Sequence, residues 1–507
     1  MTATLTDEKY DAVTEALKDV MDPELGINVV DLGLIYDLAW DDENDALVIH
    51  MTLTSAGCPL TDVLEDQTAQ ALDNVVDRFR INWVWMPPWG PERITDDGRD
   101  MMPFRSPDHQ TKRACRARPL RRLRIDAGRI GGRMLSVKAL PLSELRERTS
   151  EKWREYPEDV LPLFVAEMDF PLAPAITAAL QRALDLGDTG YIASRTPLAE
   201  AYAGFSERRF GWRPDPARMR STADVSMGIV EILRRVTQPG ERVVVTPPVY
   251  PPFYDLVAEA GAEVQRVPLR DTGTGWELDL DGIRAAFEDG ATAMLLCNPH
   301  NPTGTVHDRE TLSALAELAE EYGATIVSDE IHAPLAQPGT GFTPFLAVSD
   351  AAARIGYAVL SASKAFNLAG LKCALMVTAA EETSAVVRDL PVEVEWRTGQ
   401  FGLLAAVAAF SEESDAWLDG LLHTLDENRV LLEDLLARHL PAARYRLPDA
   451  GYLAWIDLSA LGWGDNPARK ILREAKVALH FGPAFGEEGA GHVRLNFGTS
   501  PEILTEA

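Results

Sequence analysis

Ala291-Thr-Ala-Met-Leu-Leu-Cys-Asn-Pro-His-Asn-Pro-Thr-Gly304 decides the fold of the larger part of this chain. Its first half, Ala291–Cys297, is a short continuous apolar run, and its second half is rich in turn residues. An apolar run of that length bounded by turn signals reads as a strand buried on both faces. The same pattern recurs on either side. Upstream, Arg242–Thr246 reads as a strand and Pro252–Ala262 as a helix. Downstream, Arg309–Tyr322 reads as a helix stopped at Gly323, Ala324–Ser328 as a strand, and Tyr357–Ser361 as another. Apolar strands alternating with helices predict an α/β fold with a mostly parallel sheet covered on both faces. In such sheets ligands sit outside the carboxyl ends of the strands. Polar signals fall there three times: Asn298-Pro-His-Asn-Pro-Thr-Gly304, Asp329-Glu-Ile-His332, and Ser361-Ala-Ser-Lys-Ala-Phe-Asn-Leu-Ala-Gly-Leu-Lys372. A single lysine after a strand is ordinarily a surface residue, and a single aspartate there is ordinarily a cap. Three such signals, in order along one sheet edge, point to a binding site.

With these motifs, residues 140–507 resemble fold-type I pyridoxal-phosphate (PLP) enzymes of the class I/II aminotransferase superfamily. Arg148-Thr-Ser-Glu-Lys-Trp153 and Leu161-Pro-Leu-Phe-Val-Ala-Glu-Met-Asp-Phe170 resemble the MalY/PatB-like cysteine-S-conjugate β-lyases in particular. The resemblance implies a large domain with a mostly parallel, seven-stranded sheet plus a small α+β domain. It implies that Lys364 holds the cofactor and then serves as the proton-transfer base, tasks that suit an amine deprotonated by its surroundings. Asp329 would pair with the pyridine nitrogen and keep the ring an electron sink. Asn301 would hydrogen-bond the cofactor's phenolic oxygen with His332 nearby, and Tyr250 would stack on the ring. The phosphate would sit on the amides of Val225 and Ser226 at a helix start. Ser361, Ser363 and Lys372 would complete that cup. Tyr191 would reach the phosphate from a partner subunit, which implies a homodimer with shared active sites. Arg494 would clamp the substrate α-carboxylate through a bidentate guanidinium. The family commonly has Arg where Lys372 stands, which makes the phosphate contact less bidentate. The chain stops at Ala507 inside the opening of a helix where relatives continue, and a clipped helix there would weaken the Arg494 clamp. The 148–170 signature favours β-elimination from cystathionine or another L-cysteine S-conjugate, giving a thiol, pyruvate and ammonia. Transamination uses the same motifs and stays open, as does an adaptor whose PLP-like half is an inactive scaffold.

The first hundred residues read differently. Asp7–Val20 has an amphipathic helical pattern. Leu34–Trp40 and Ala46–Leu53 read as strands around the acidic turn Asp41-Asp42-Glu43-Asn44, Pro59–Val76 as a helix, and Ile81–Met86 as a third strand. The sum is a small α+β domain. Asp22-Pro-Glu24, Val30-Asp-Leu-Gly-Leu34, Thr54-Ser-Ala-Gly-Cys-Pro59 and Trp85-Met-Pro-Pro-Trp-Gly-Pro91 resemble the SufT/PaaD-like iron–sulfur assembly factors. That resemblance implies iron–sulfur assembly proteins as partners. Cys58 just before a helix start has the dipole that favours a thiolate. One thiol cannot hold a cluster, so the expectation is assembly or transfer with no resident metal.

Between the two lies a tract, Lys112–Arg133, with eight Arg and one Lys against one acid, Asp126, and no helix or strand period. It reads as a solvated basic linker spanning 101–140; phosphate or RNA binding is the other reading of such a tract. A third is two neighbouring reading frames joined into one, with Met134 the start of the second. The chain as a whole has a net charge of −29, which opposes nucleic-acid and anionic-membrane binding. No apolar run reaches the roughly 18 residues needed to cross a bilayer, and Met1–Lys18 is too polar for a signal peptide. Cys58, Cys115, Cys297 and Cys373 are widely spaced without a CxxC, which argues against a disulfide framework or a zinc site. Together these point to a cytoplasmic protein.

Overall fold

The computed structural model describes residues 2–4, 7–21, 28–41, 46–52, 61–72, 75–76, 78–84, 93, 95 and 136–507. The chain divides into two compact units, Met1–Leu123 and Arg124–Ala507.

In the first unit, β1 (Thr2–Thr4), β2 (Ile35–Asp41), β3 (Ala46–Met51) and β4 (Phe79–Trp83) form one sheet in that order. The first two pairings are antiparallel and the β3–β4 pairing is parallel. Helices α1 (Asp7–Leu17) and α2 (Thr61–Leu72) cover it. Val13, Leu17, Leu38, Leu47, Ile49 and Leu64 form the core, as the helical and alternating patterns require. β1 has no apolar signature; it is a three-residue rim strand set by pairing with Ala39–Asp41. β4 starts before the expected Ile81 because Phe79 pairs with Leu47. Asp31, in the Val30–Leu34 motif, accepts from Asn28 Nδ2 at 2.7 Å and Thr95 Oγ1 at 2.9 Å, so its carboxylate ties residues distant in sequence. Cys58, the Asp22–Glu24 and Trp85–Pro91 motifs and the basic tract lie outside the described residues.

The second unit is built on a seven-stranded sheet. Its strands are β5 (Met219–Thr222), β6 (Arg242–Val245), β7 (Glu263–Arg266), β8 (Ala291–Cys297), β9 (Thr325–Asp329), β10 (Gly356–Leu360) and β11 (Ala374–Val377). Their order is β5-β11-β10-β9-β8-β6-β7, and β11 alone runs antiparallel to its neighbours. Successive side chains point to opposite faces. Accordingly Val244, Met294, Leu296 and Ile326 enter one core, whereas Val243, Val245, Leu295 and Val327 enter the other. Apolar residues on both faces are what a sheet covered twice demands, and they explain the unbroken runs in the sequence. A smaller antiparallel sheet, β12 (Arg444–Tyr445), β13 (Leu453–Asp457), β14 (His480–Phe481) and β15 (His492–Asn496), has the order β12-β13-β15-β14. The closing helix Pro501–Glu506 is capped by Ser500 and buries Ile503 and Leu504. Val137 and Leu140, inside the stretch read as linker, already hydrogen-bond to this unit, through Gly420 and Asp169. Among the described residues no helix is long and apolar enough to cross a membrane.

Candidate active site

Strands β8, β9 and β10 end side by side, with Cys297 level with Asp329 and Asp329 level with Val359. The three polar segments therefore leave the sheet at one edge. In the first, Gly304 has φ +70°, and a Cβ there would stand 2.2 Å from Pro448 Cβ. Only glycine lets this loop close against Pro448, in the segment that joins β12 to β13.

Asp329 is buried, and its Oδ1 accepts from Ile331 N at 3.0 Å. Burial pushes its carboxyl up to about 7, although the Lys364 amine pulls the other way. Burial, and then the charge of Arg494, bring the Lys364 amine down to about 8; Asp329 opposes the shift. Lys364 Nζ donates to Ala166 O at 3.3 Å. His332 is buried beside Tyr452, its Nδ1 has no partner, and burial brings its ring down to about 3. Arg494 is buried on the face of Phe485 and donates to Asn301 Oδ1 at 3.1 Å and Phe164 O at 2.9 Å. That leaves the Asn301 amide nitrogen as the donor for a ligand. Burial raises the Tyr250 hydroxyl, with Arg494 opposing and Asp329 and Asp224 adding to the rise, so its ring lies among these charges.

Helix Val225–Val236 begins nearby, and its first amides, those of Val225 and Ser226, have no intrahelical acceptor by helix geometry. Its cap, Asp224, lies 3.1 Å from Lys372 Nζ. Ser361 differs from its expected role as a phosphate ligand. Its hydroxyl donates to Cys373 O at 2.6 Å and accepts from Ser363 N at 3.0 Å, so its one proton is already used. Ser363 is the partly exposed member of the pair. Tyr191 is 93% exposed in the single chain and lies apart from this cluster, 6.0 Å from the ring of Trp396.

The fit of PLP follows from these groups. A buried carboxyl raised to about 7 lacks a full positive partner, and a pyridine N–H would supply one. The helix amides and Lys372 offer donors to a phosphate, and Asn301 offers one to a ring oxygen. The residues fit a phosphorylated pyridine.

Residues 158–507 match the family model described as aminotransferase class I and II. The chain belongs to this family. Residues 10–81 match a second model, iron-sulfur cluster assembly protein. Within the aminotransferase family several relatives are lyases by name, while others are named as aspartate aminotransferases. A Mycobacterium leprae protein named, provisionally, cystathionine beta-lyase is 45% identical over 393 residues, covering 73% of this chain and 96% of its own. The cystathionine beta-lyase of Corynebacterium glutamicum is 36% identical over 367 residues, 72% of this chain and 96% of its own. A Corynebacterium diphtheriae structure, described provisionally as a PLP-dependent beta-cystathionase, superposes with a TM-score of 0.70 at 35% identity, covering 73% and 97%.

Sequence reasoning missed the wall opposite Lys364. The irregular backbone Phe164–Glu167 directs its carbonyls at buried side chains. Ala166 O accepts from Tyr452 OH at 2.9 Å as well as from Lys364. Asn496 Nδ2 reaches Val165 O at 2.7 Å and Glu167 O at 2.6 Å. Lys152, fully buried, holds Glu167 O at 3.1 Å and pairs with Asp169 at 2.8 Å. The segment is the Leu161–Phe170 stretch read above as resembling the MalY/PatB-like lyases; its job as a hydrogen-bonding wall was not readable from it.

Proposed function

We propose that the second unit is a PLP-dependent carbon–sulfur β-lyase. It cleaves cystathionine or another L-cysteine S-conjugate, so that L-cystathionine and water give homocysteine, pyruvate and ammonia. The observation that supports this most is that Lys364, Asp329 and Asn301 gather at one edge of the large sheet where Arg494 of the smaller sheet meets them, in a chain with relatives named for that reaction. PLP, when bound, supplies the electron sink for bond breaking at Cα. Lys364 is the amine that holds the cofactor and then moves the Cα proton; its lowered pKa makes the neutral base available near pH 8. Asp329 would keep the ring nitrogen protonated, and Arg494, brought down by burial to about 10 and so cationic near neutral pH, would receive the α-carboxylate. Asn301 and His332 face the ring oxygen, and Tyr250 covers the ring. The amides of Val225 and Ser226, with Ser363 and Lys372 beside them, would hold the phosphate. Tyr191 serves a second copy. Its exposure, with that of Trp396, Leu184 and Leu186, supports a homodimer with shared sites.

The chain reads as three parts, an assembly domain over 1–100, a linker over 101–140 and the lyase over 141–507. The assembly domain meets iron–sulfur assembly proteins, with Cys58 as its reactive thiol. The cytoplasm is the expected compartment.

The test is pyruvate and thiol release from L-cystathionine by purified protein with PLP, beside Lys364→Ala. Release that falls by at least about a thousandfold in the variant is the expected outcome. Amino transfer to a 2-oxo acid without thiol release would move the assignment to aminotransferase, the second reading, whose name the family model carries. A protein that stays colourless with added PLP would leave an adaptor on an inactive scaffold.

A further inference from the structure

The helix start expected to receive phosphate has a feature that an anion site does not need. Asp224 Oδ1 accepts from Met227 N at 2.8 Å, an ordinary N-cap contact. Its other oxygen lies 3.1 Å from Lys372 Nζ. Serine, threonine or asparagine would cap this helix equally well without a charge. The aspartate instead adds a negative group where the helix dipole and the free amides favour an incoming anion. It also occupies the lysine that stands nearest to that end. Lys372 is rooted firmly, with its backbone at φ +57° and its carbonyl accepting from Gly399 N at 3.0 Å. Its amine therefore pairs with Asp224 and, on the reading of the cup given above, would also serve the phosphate.

We propose that Asp224 competes with the cofactor's phosphate for Lys372 and sets the chain's hold on PLP below what the cup would otherwise give. The proposal rests on the reading of that cup given above. It assigns Asp224 as a determinant of cofactor affinity, acting through Lys372 and through direct repulsion of the phosphate.

Asp224→Asn keeps the capping oxygen and removes the charge, and Asp224→Ser does the same with a shorter side chain. The apo-chain is titrated with PLP and, separately, with pyridoxal, which lacks the phosphate; both are followed by absorbance. Each variant is expected to lower the Kd for PLP about tenfold, or about 1.4 kcal/mol, and to leave the Kd for pyridoxal within about twofold. A PLP Kd that rises in both variants overturns the proposal, because Asp224 would then be orienting Lys372. Equal shifts for PLP and pyridoxal overturn it too, since the effect would not pass through the phosphate. Lys372→Ala separates the proposal from the reading beneath it. A Kd for PLP that rises in the natural chain, and by a larger factor with Asn at 224, supports both. Equal factors in the two backgrounds remove the competition and leave the cup. No effect in either background removes the cup itself.

Discussion

Burial acts on Lys364 and Asp329 in opposite directions. It disfavours whichever form is charged, so the amine falls to about 8 and the carboxyl rises to about 7. For Lys364 the neutral, reactive form grows as pH rises through about 8, where an unperturbed lysine would wait until about 10.4. The rate at which the apo-chain captures PLP should therefore climb with pH to a plateau with its midpoint near 8. Arg494 is the second cause of the shift, so Arg494→Met should move that midpoint upward. Stopped-flow absorbance from about pH 6 to 10 measures both; a midpoint near 10 in the natural chain would sink the account of Lys364. At this scale the residues that follow strands were readable, because strand ends are where such sheets bind ligands. The residues that hold them were not. Lys364 and Ala166 are 198 positions apart and Arg494 and Phe164 are 330 apart. No local pattern encodes such a contact. Asp224 makes both kinds of contact: its capping role is local, but its pairing with Lys372 is visible only in three dimensions.

Among the parallel strands of the large sheet, legibility followed burial. Ala291–Cys297 is a strand over the residues expected, because it lies in the middle of the sheet and is apolar throughout. In the seven-stranded sheet the strands that went unread are the two edges, Met219–Thr222 and Glu263–Arg266, and the antiparallel Ala374–Val377, which is buried throughout. Edge strands expose one side to water and lose the apolar run; Glu263–Arg266 is polar at both ends. Helix ends retreat from the expected bounds for a related reason, since Pro252–Glu259 stops before the turn at Gly261 that the apolar pattern runs into. The loop after Ala291–Cys297 gives the element-scale prediction. Gly304→Ala places a Cβ against Pro448, at a backbone angle that costs about 1–3 kcal/mol. The loop must shift, and Asn301, three residues earlier, shifts with it. Gly323, with φ +66° but open space around it, is the control. Gly304→Ala should lower kcat/KM at least about tenfold, in keeping with the sensitivity of reacting groups to a misplacement on the order of 1 Å. Gly323→Ala should cost roughly 1 kcal/mol of stability and leave kcat/KM alone. Equal effects of the two on melting and on kcat/KM would show that the contact with Pro448 is not what fixes the loop.

On the scale of the whole chain, every residue placed at the site comes from the second unit, from Lys152 to Asn496. That unit has its own two cores, one on each face of its sheet, and the first unit has a separate one. The two family matches end and begin on either side of the basic tract, at residue 81 and residue 158. A unit that encloses its own core and its own site is expected to fold and act without the other. Cleaving the chain genetically before Met134 tests this. Residues 134–507 should retain kcat/KM for the S-conjugate within about twofold and melt as the corresponding transition of the full chain does. A loss of more than about tenfold, restored by adding residues 1–133 in trans, would mean that the assembly domain completes or regulates the lyase. That result would also give the fusion a chemical rationale, since the sulfur released by one unit would then be coupled to the unit that resembles cluster-assembly proteins. Independence would instead make the shared chain a matter of joint expression, with the arginine-rich tract serving only to keep two self-sufficient units on one polypeptide.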